Sequence, residues 1–215
     1  PDLQITKSIY STGFPSMVTN FVISIVLVIY NHVLGNFGFQ AIAAFGICFR
    51  VTGLATMVLF GVGAGLMPIV GYNLGARLFQ RLRESVSVAL KVSVVFSAVS
   101  VIILELFSSQ IITFFSSDPH LTAIAIPALR IHVAALIFSA PIIIYVNMFI
   151  GLGKGTLAMI ILFIRDILVF VPLLIILPLF WGITGAWMAL PLAGFIELFL
   201  VIYWGEKELR KLETR

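Results

Sequence analysis

The sequence predicts an all-α integral membrane protein with six transmembrane helices, and three observations carry that expectation. Of its 215 residues, 61% are hydrophobic and 10% charged, with a mean hydropathy of +1.17, where a soluble globular domain carries about 25% charged residues. The apolar residues gather into runs of bilayer length, since about 20 residues at 1.5 Å each cross a hydrocarbon core of roughly 30 Å. Runs such as "FVISIVLVIY" are continuously apolar; they lack the in/out alternation of barrel strands, so helices remain as the way to satisfy backbone hydrogen bonds in lipid.

The predicted spans are residues 14–34, 41–70, 86–107, 121–152, 156–180 and 183–204. Several exceed the minimum, which implies tilt, bends or protrusion beyond lipid. The first, "FPSMVTNFVISIVLVIY", holds no carboxylate and offers Asn20 and Tyr30 as its polar groups. In the second, Gly61 and Gly65 have the GxxxG spacing that permits close helix contact. Pro68 withdraws a backbone donor there and is expected to kink the span near its end. Tyr72 suits the interface, Asn73 and Gly75 are expected to close the turn, and Arg77 to face water. Lys91, early in the third span, can reach the membrane surface along its own stem. The fourth span carries Pro127, Pro141, Arg130 and His132, the fifth Arg165, Asp166, Pro172 and Pro178, and the sixth Pro191 and Glu197. Prolines within the second, fourth, fifth and sixth spans favour a bundle that bends, although proline is ordinary in membrane helices.

Six spans put both termini on one side. That side receives Lys7, Arg77, Arg81, Arg83, Lys154, Lys207, Arg210, Lys211 and Arg215, nine of the 13 Lys and Arg residues, and the opposite loops receive none. The positive-inside rule then makes both termini cytoplasmic. A net charge of +4 and a pI near 9.5 do not indicate nucleic-acid binding, because these cations mark loops and form no patch interleaved with aromatics. The tail "EKELRKLETR" reads as a solvated helical extension. The chain starts at Pro1, and "PDLQITKS" has no basic-then-apolar targeting layout, so an internal piece of a longer protein is expected.

Four cations remain within spans: Arg50, Lys91, Arg130 and Arg165. Asp166 and Glu197 are the acids nearest the interior. Arg50, Arg130 and Arg165 each lie nine residues into a span, roughly 13 Å deep. An arginine at mid-helix costs about 2.5–3.5 kcal/mol on insertion scales, so each is expected to face the protein interior or a watery cavity and to have a partner. Arg165 and Asp166 are adjacent, about 100° apart on an α-helix, and are expected to find partners on other helices. Such a group is either a wet cavity for an ion or cationic ligand, or a static clamp between helices. The single cysteine, Cys48, and the scattered His32, His120 and His132 have no metal-ligand spacing, and no nucleophile constellation or phosphate-cradling loop is present. Neither a metal site nor an enzyme is expected.

"PIVGYNLGA" followed by a basic amphipathic stretch resembles the second helix of the C-terminal lobe of multidrug and toxic compound extrusion (MATE) transporters. "SDPHLTAIAIPALRI", "GLGKGTLAMIILFIRDILVFVPLLIILP" and "GITGAWMALPLAGF" follow in the same order. The resemblance implies one lobe of a twelve-helix transporter whose two six-helix lobes enclose a cavity opening alternately to each side. It implies export of organic cations or other amphipathic compounds in exchange for Na⁺ or H⁺, with no cofactor. The expected partners are a missing N-terminal six-helix lobe, the lipid bilayer, here a bacterial inner membrane, and small amphipathic or cationic substrates. The cavity is expected to draw on Asn20, Tyr145, Asn147, Arg165 and Asp166, with Gly61, Gly65, Pro68 and Pro141 as hinge or packing positions. Two departures stand out: many relatives read close to GQGLQP where this chain has "GAGLMP", so Ala64 and Met67 replace polar cavity contacts, and the first span lacks the acidic ion ligand of some relatives. The alternatives are a related lipid-linked sugar flippase, which would read phosphates through Arg50, Arg130 and Arg165, and a non-transporting membrane scaffold.

Overall fold

The computed structural model describes the backbone of residues 3–213 and the side chains of residues 17, 18 and 20–212; Pro1, Arg215 and the side chain of Lys7, on which parts of the sequence reading rest, lie outside the described residues. The described residues are almost entirely helical: α1 (Leu3–Gly35), α2 (Phe39–Gly75), α3 (Phe79–Leu106), the short α4 (Ser108–Phe115), α5 (Pro119–Gly151), α6 (Gly155–Phe163), a π-helical segment (Ile164–Phe170) and α7 (Val171–Glu213). Among the described residues there is no strand.

Four helical stretches are long and apolar enough to cross a membrane: Phe39–Gly75, Phe79–Leu106, Pro119–Gly151 and Gly155–Leu212. Asn20–Gly35 is a shorter apolar helix. The 58 residues of Gly155–Leu212 would reach about 87 Å if straight, several times the hydrocarbon core. They fold back instead. Gly182, at φ 56° and ψ −141°, is non-helical, in a region that glycine enters without steric cost. Past it, a side chain on Gly185 would fall 2.3 Å from the backbone oxygen of Leu177, whereas residues eight apart on a straight helix are about 12 Å apart. Residues 155–181 and 183–213 are therefore two antiparallel arms of one hairpin.

The rods surround α5. Its apolar window is 67% buried, against 22% for those of α2, α3 and the hairpin. Two apolar clusters lie along it. One joins Tyr30, Leu34, Phe45, Leu129, Phe170 and Trp187; the other, nearer the chain's basic end, joins Leu66, Val70, Met148, Phe149, Ile161 and Val201. The connection 108–120 contains α4, because Ser108 and Ile112 on one face are buried against the bundle. Asp118 caps α5, its Oδ1 accepting the His120 N–H at 3.0 Å, with Pro119 in the first turn where a missing donor costs nothing.

Two expectations need correction. The close-packing glycine of α2 is Gly63, where a Cβ would lie 2.5 Å from Asn147 Nδ2, while Gly61 and Gly65 have nothing within 4 Å; both point from the face of α2 that this lobe leaves uncovered. The α2–α3 turn puts its left-handed residue at Arg77 (φ 57°), two residues beyond Gly75. The Leu78 N–H reaches Asn73 O at 2.8 Å and the Arg77 N–H reaches Leu74 O at 3.1 Å, the paired bonds of a Schellman ending. Arg50 lies exposed on the uncovered face of α2. Pro68 and Pro141 sit inside α2 and α5, which both continue past them.

Candidate functional site

Arg165 and Asp166 open the π-helical segment, in the first arm of the hairpin. Here hydrogen bonds run i→i+5 and the turn is wider than in an α-helix. The two neighbours pair directly, Arg165 Nε donating to Asp166 Oδ1 at 2.8 Å. That corrects the expectation drawn from 100° spacing, because a wide turn brings consecutive side chains closer in angle and the long arginine stem does the rest. The second partner is on another helix, as expected: Arg165 Nη1 lies 3.5 Å from Glu197 Oε2 on the returning arm.

This cluster is buried deeply for its charge. Asp166 is 4% exposed and Glu197 1%, while 31% of the Arg165 side chain remains accessible. One guanidinium faces two carboxylates, so the ionised group carries a surplus of one negative charge. Glu197 Oε1 is buried with no hydrogen-bond partner. On the α1 side, a narrow void lined by Val18, Val22, Met159, Leu162 and Phe163 reaches Asp166.

Of the five residues expected to line a cavity, only Arg165 and Asp166 are in contact. Tyr145 is buried and donates its hydroxyl to Glu206 Oε1 at 2.9 Å. Asn147 bonds Ile143 O on its own helix at 2.9 Å and lies under Gly63. Asn20 is exposed on α1, its carbonyl accepting from Ser24 at 3.0 Å. Arg130 is exposed, with Glu105 at 3.5 Å and Ser108 at 3.0 Å for partners, and does not face the interior. The ion pair at that end of the bundle keeps its charge at the surface.

Two features were not legible as sites. His132, which has no metal-ligand spacing in the sequence, sits in a buried aromatic nest: its ring is 6.2 Å from that of Tyr30, 5.9 Å from Phe45 and 5.7 Å from Trp187. His132 Nδ1 lies 3.2 Å from Ala128 O and Nε2 3.4 Å from the Tyr30 hydroxyl, whose one proton is shared between Nε2 and Ala186 O, the latter at 3.2 Å. The Ala128 bond assigns the ring proton to Nδ1 and leaves Nε2 as acceptor. The charged tail, too, is more than a solvated end. Leu209 and Leu212 are buried, and Glu208 takes Lys154 and Lys211 as ion-pair partners. The hydrogen bond from Lys154, supported by Lys211, holds the Glu208 carboxyl below its ordinary range. Among the described residues no group of three His, Cys, Asp or Glu could hold a metal ion.

One signal could have located Glu197. It stands 15 residues after Gly182 and Arg165 stands 17 before it, so a hairpin turning at that glycine brings the two level.

A family model described as MatE matches residues 15–176. The multidrug export protein MepA of Staphylococcus haemolyticus is 24% identical over 203 residues, 94% of this chain and 44% of that protein. MepA of Staphylococcus saprophyticus is 25% identical over 206 residues, 94% of this chain and 45% of that protein. Among solved structures, the outward-facing conformation of a multidrug resistance MATE family transporter of the MOP superfamily superposes with a TM-score of 0.92 at 22% identity, covering all of this chain and 49% of that one. The inward-facing conformation gives 0.91 at 23%, covering all of this chain and 50% of that one. The chain thus spans about half the length of these relatives, which are export proteins and not enzymes.

Proposed function

The chain belongs to the MatE family, and on that premise we propose that it is one six-helix lobe of a secondary active exporter for organic cations or other amphipathic compounds, driven by exchange for Na⁺ or H⁺. The observation that carries this reading is the Arg165–Asp166–Glu197 cluster. Ionised side chains at membrane depth are expensive, and this one is built across two arms in a π-helical segment, a backbone form found often at functional sites. The lobe superposes equally on an outward-facing and an inward-facing relative, which supports a unit that moves as a body while a cavity opens on alternate sides.

The partner is a second six-helix lobe, and α2 offers the surface for it. Phe49, Leu54, Met57 and Phe60 are exposed there beside Gly61 and Gly65, and small residues allow helices to approach closely. Elsewhere the exposed apolar rods suit the bilayer of a bacterial inner membrane. The ends of α2, α5 and α7 carry the basic loops and the tail, which supports a cytoplasmic position for the chain's termini. Transport is a population shift: the ion binds better in one opening state and the substrate in the other, and each moves the equilibrium only by its differential affinity.

The test is transport by the lobe assembled with its partner lobe in proteoliposomes. An imposed Na⁺ or proton gradient is expected to drive export of a fluorescent organic cation. Absence of export under either gradient would leave a non-transporting scaffold as the better reading. The flippase alternative loses support because Arg130 and Arg165 already face carboxylates and have little positive charge left for phosphates.

A further inference from the structure

We propose that Glu197 is a proton-binding carboxyl, taking up one proton on Oε1 and releasing it during the transport cycle. This rests on the exporter reading and names the ion that the Arg165–Asp166–Glu197 cluster exchanges. Three observations lead to it. Both carboxyl groups are almost fully buried. Arg165 commits Nε to Asp166 and Nη1 to Glu197, cancelling one of the two negative charges. Oε1, the remaining oxygen, is enclosed by protein without any donor among the described residues. A buried acceptor left unmade costs about 1–3 kcal/mol and more when charged. Transfer of a proton from hydronium to Oε1 leaves a carboxylic acid and water; the surplus charge and the orphaned anionic oxygen disappear together.

The same geometry disfavours a metal cation. Hard cations gather several oxygens, six or more around Ca²⁺ and Mg²⁺, and the cluster offers two carboxyl groups beside a guanidinium that repels any cation. A proton needs a single oxygen. The charged groups acting on Glu197 are Arg165 and Asp166, both on the opposite arm. On the α1 side the cluster meets Val18 and Val22, and along the first arm Met159, Leu162 and Phe163, all of them apolar. Protonation also has a mechanical effect. The 3.5 Å contact to Arg165 Nη1 loses its ionic part while the 2.8 Å bond to Asp166 persists, so the proton decides whether the two arms are tied by charge.

Infrared difference spectroscopy on the lobe assembled with its partner lobe reads this directly. The expected result is a carboxylic-acid carbonyl band that shifts in heavy water, fades as pH rises, is lost in Glu197→Gln and is retained in Asp166→Asn. Export driven by a proton gradient is expected to be lost in Glu197→Gln as well. A band unchanged by Glu197→Gln, or no such band at any pH in the unaltered protein, overturns the proposal. If Glu197→Gln fails to accumulate, Glu197→Asp carries the same test, since it must shift the frequency or the pH midpoint of the band, and an unchanged band again overturns it. Export driven by Na⁺ alone with no band removes the proton from Glu197 and leaves the exporter standing. The band without export under any gradient does the reverse.

Discussion

Two of the polar centres buried among the described residues, those at His132 and at Arg165, are built on opposite terms. Around His132, the polar contacts join neutral groups, one Tyr30 proton being shared between Nε2 and Ala186 O, and aromatic rings fill the space between. Around Arg165, three ionised groups leave one negative charge and one oxygen over. The first can change only by repacking, which close-packed interiors resist. The second can change by moving a proton. Charge imbalance, rather than burial as such, separates a group that can change state from one that holds the fold.

The strongest way to break that contrast is Arg165→Met. It leaves two carboxylates facing each other without a cation, and removing one partner from a buried ionic group costs about 3–5 kcal/mol; a large fall in thermal unfolding temperature and loss of export are expected. Adding Asp166→Asn and Glu197→Gln to it is expected to recover much of the stability, since neutral replacements of buried ions are often tolerated, without restoring export. Full export by the triple variant would reduce the cluster to a clamp. Tyr30→Phe sharpens the other side: losing one neutral hydroxyl is expected to cost about 1–2 kcal/mol in the same unfolding assay while export persists.

Smaller effects lie at the basic end. Arg77 and Gly153 occupy the same left-handed position in two Schellman endings, at φ 57° and 73°, and arginine carries strain there that glycine does not. Arg77→Gly is expected to stabilise by about 1 kcal/mol and Gly153→Ala to destabilise by a similar amount, both read by thermal unfolding. The smallest is a pH effect. Glu208 is held below its ordinary range, so its tie to Lys154 contributes above the unfolded-state value and is lost as pH falls through the lower folded one. Hydrogen exchange at residues 152–154 is expected to quicken in that acidic window, and Glu208→Gln to remove the dependence.

The rods were legible because lipid leaves helices little freedom in length or composition; the register between them was not. Apolar runs placed the hairpin arms, but whether Arg165 met Glu197 depended on one turn at Gly182. The π-helical segment was invisible, since "FIRDILVF" reads as an ordinary α-helical stretch, and with it went the pairing of Arg165 with Asp166. GxxxG spacing pointed to Gly61 and Gly65, whereas contact within the lobe fell on Gly63, because spacing identifies a smooth face but not the neighbour it meets. Tyr145 and Asn147 came from the resemblance, which gave no sign that Glu206 and Ile143 O engage them.

Because the hairpin reverses at a single residue, its two limbs are indexed to one another like the teeth of a zip. Removing one amino acid between Asp166 and Gly182 would swing the arginine and aspartate about 100° around their rod and carry them away from the glutamate opposite, although every residue of the trio remained. Length variation in such a chain is therefore tolerable beyond the trio, toward the tail, and ruinous between it and the apex.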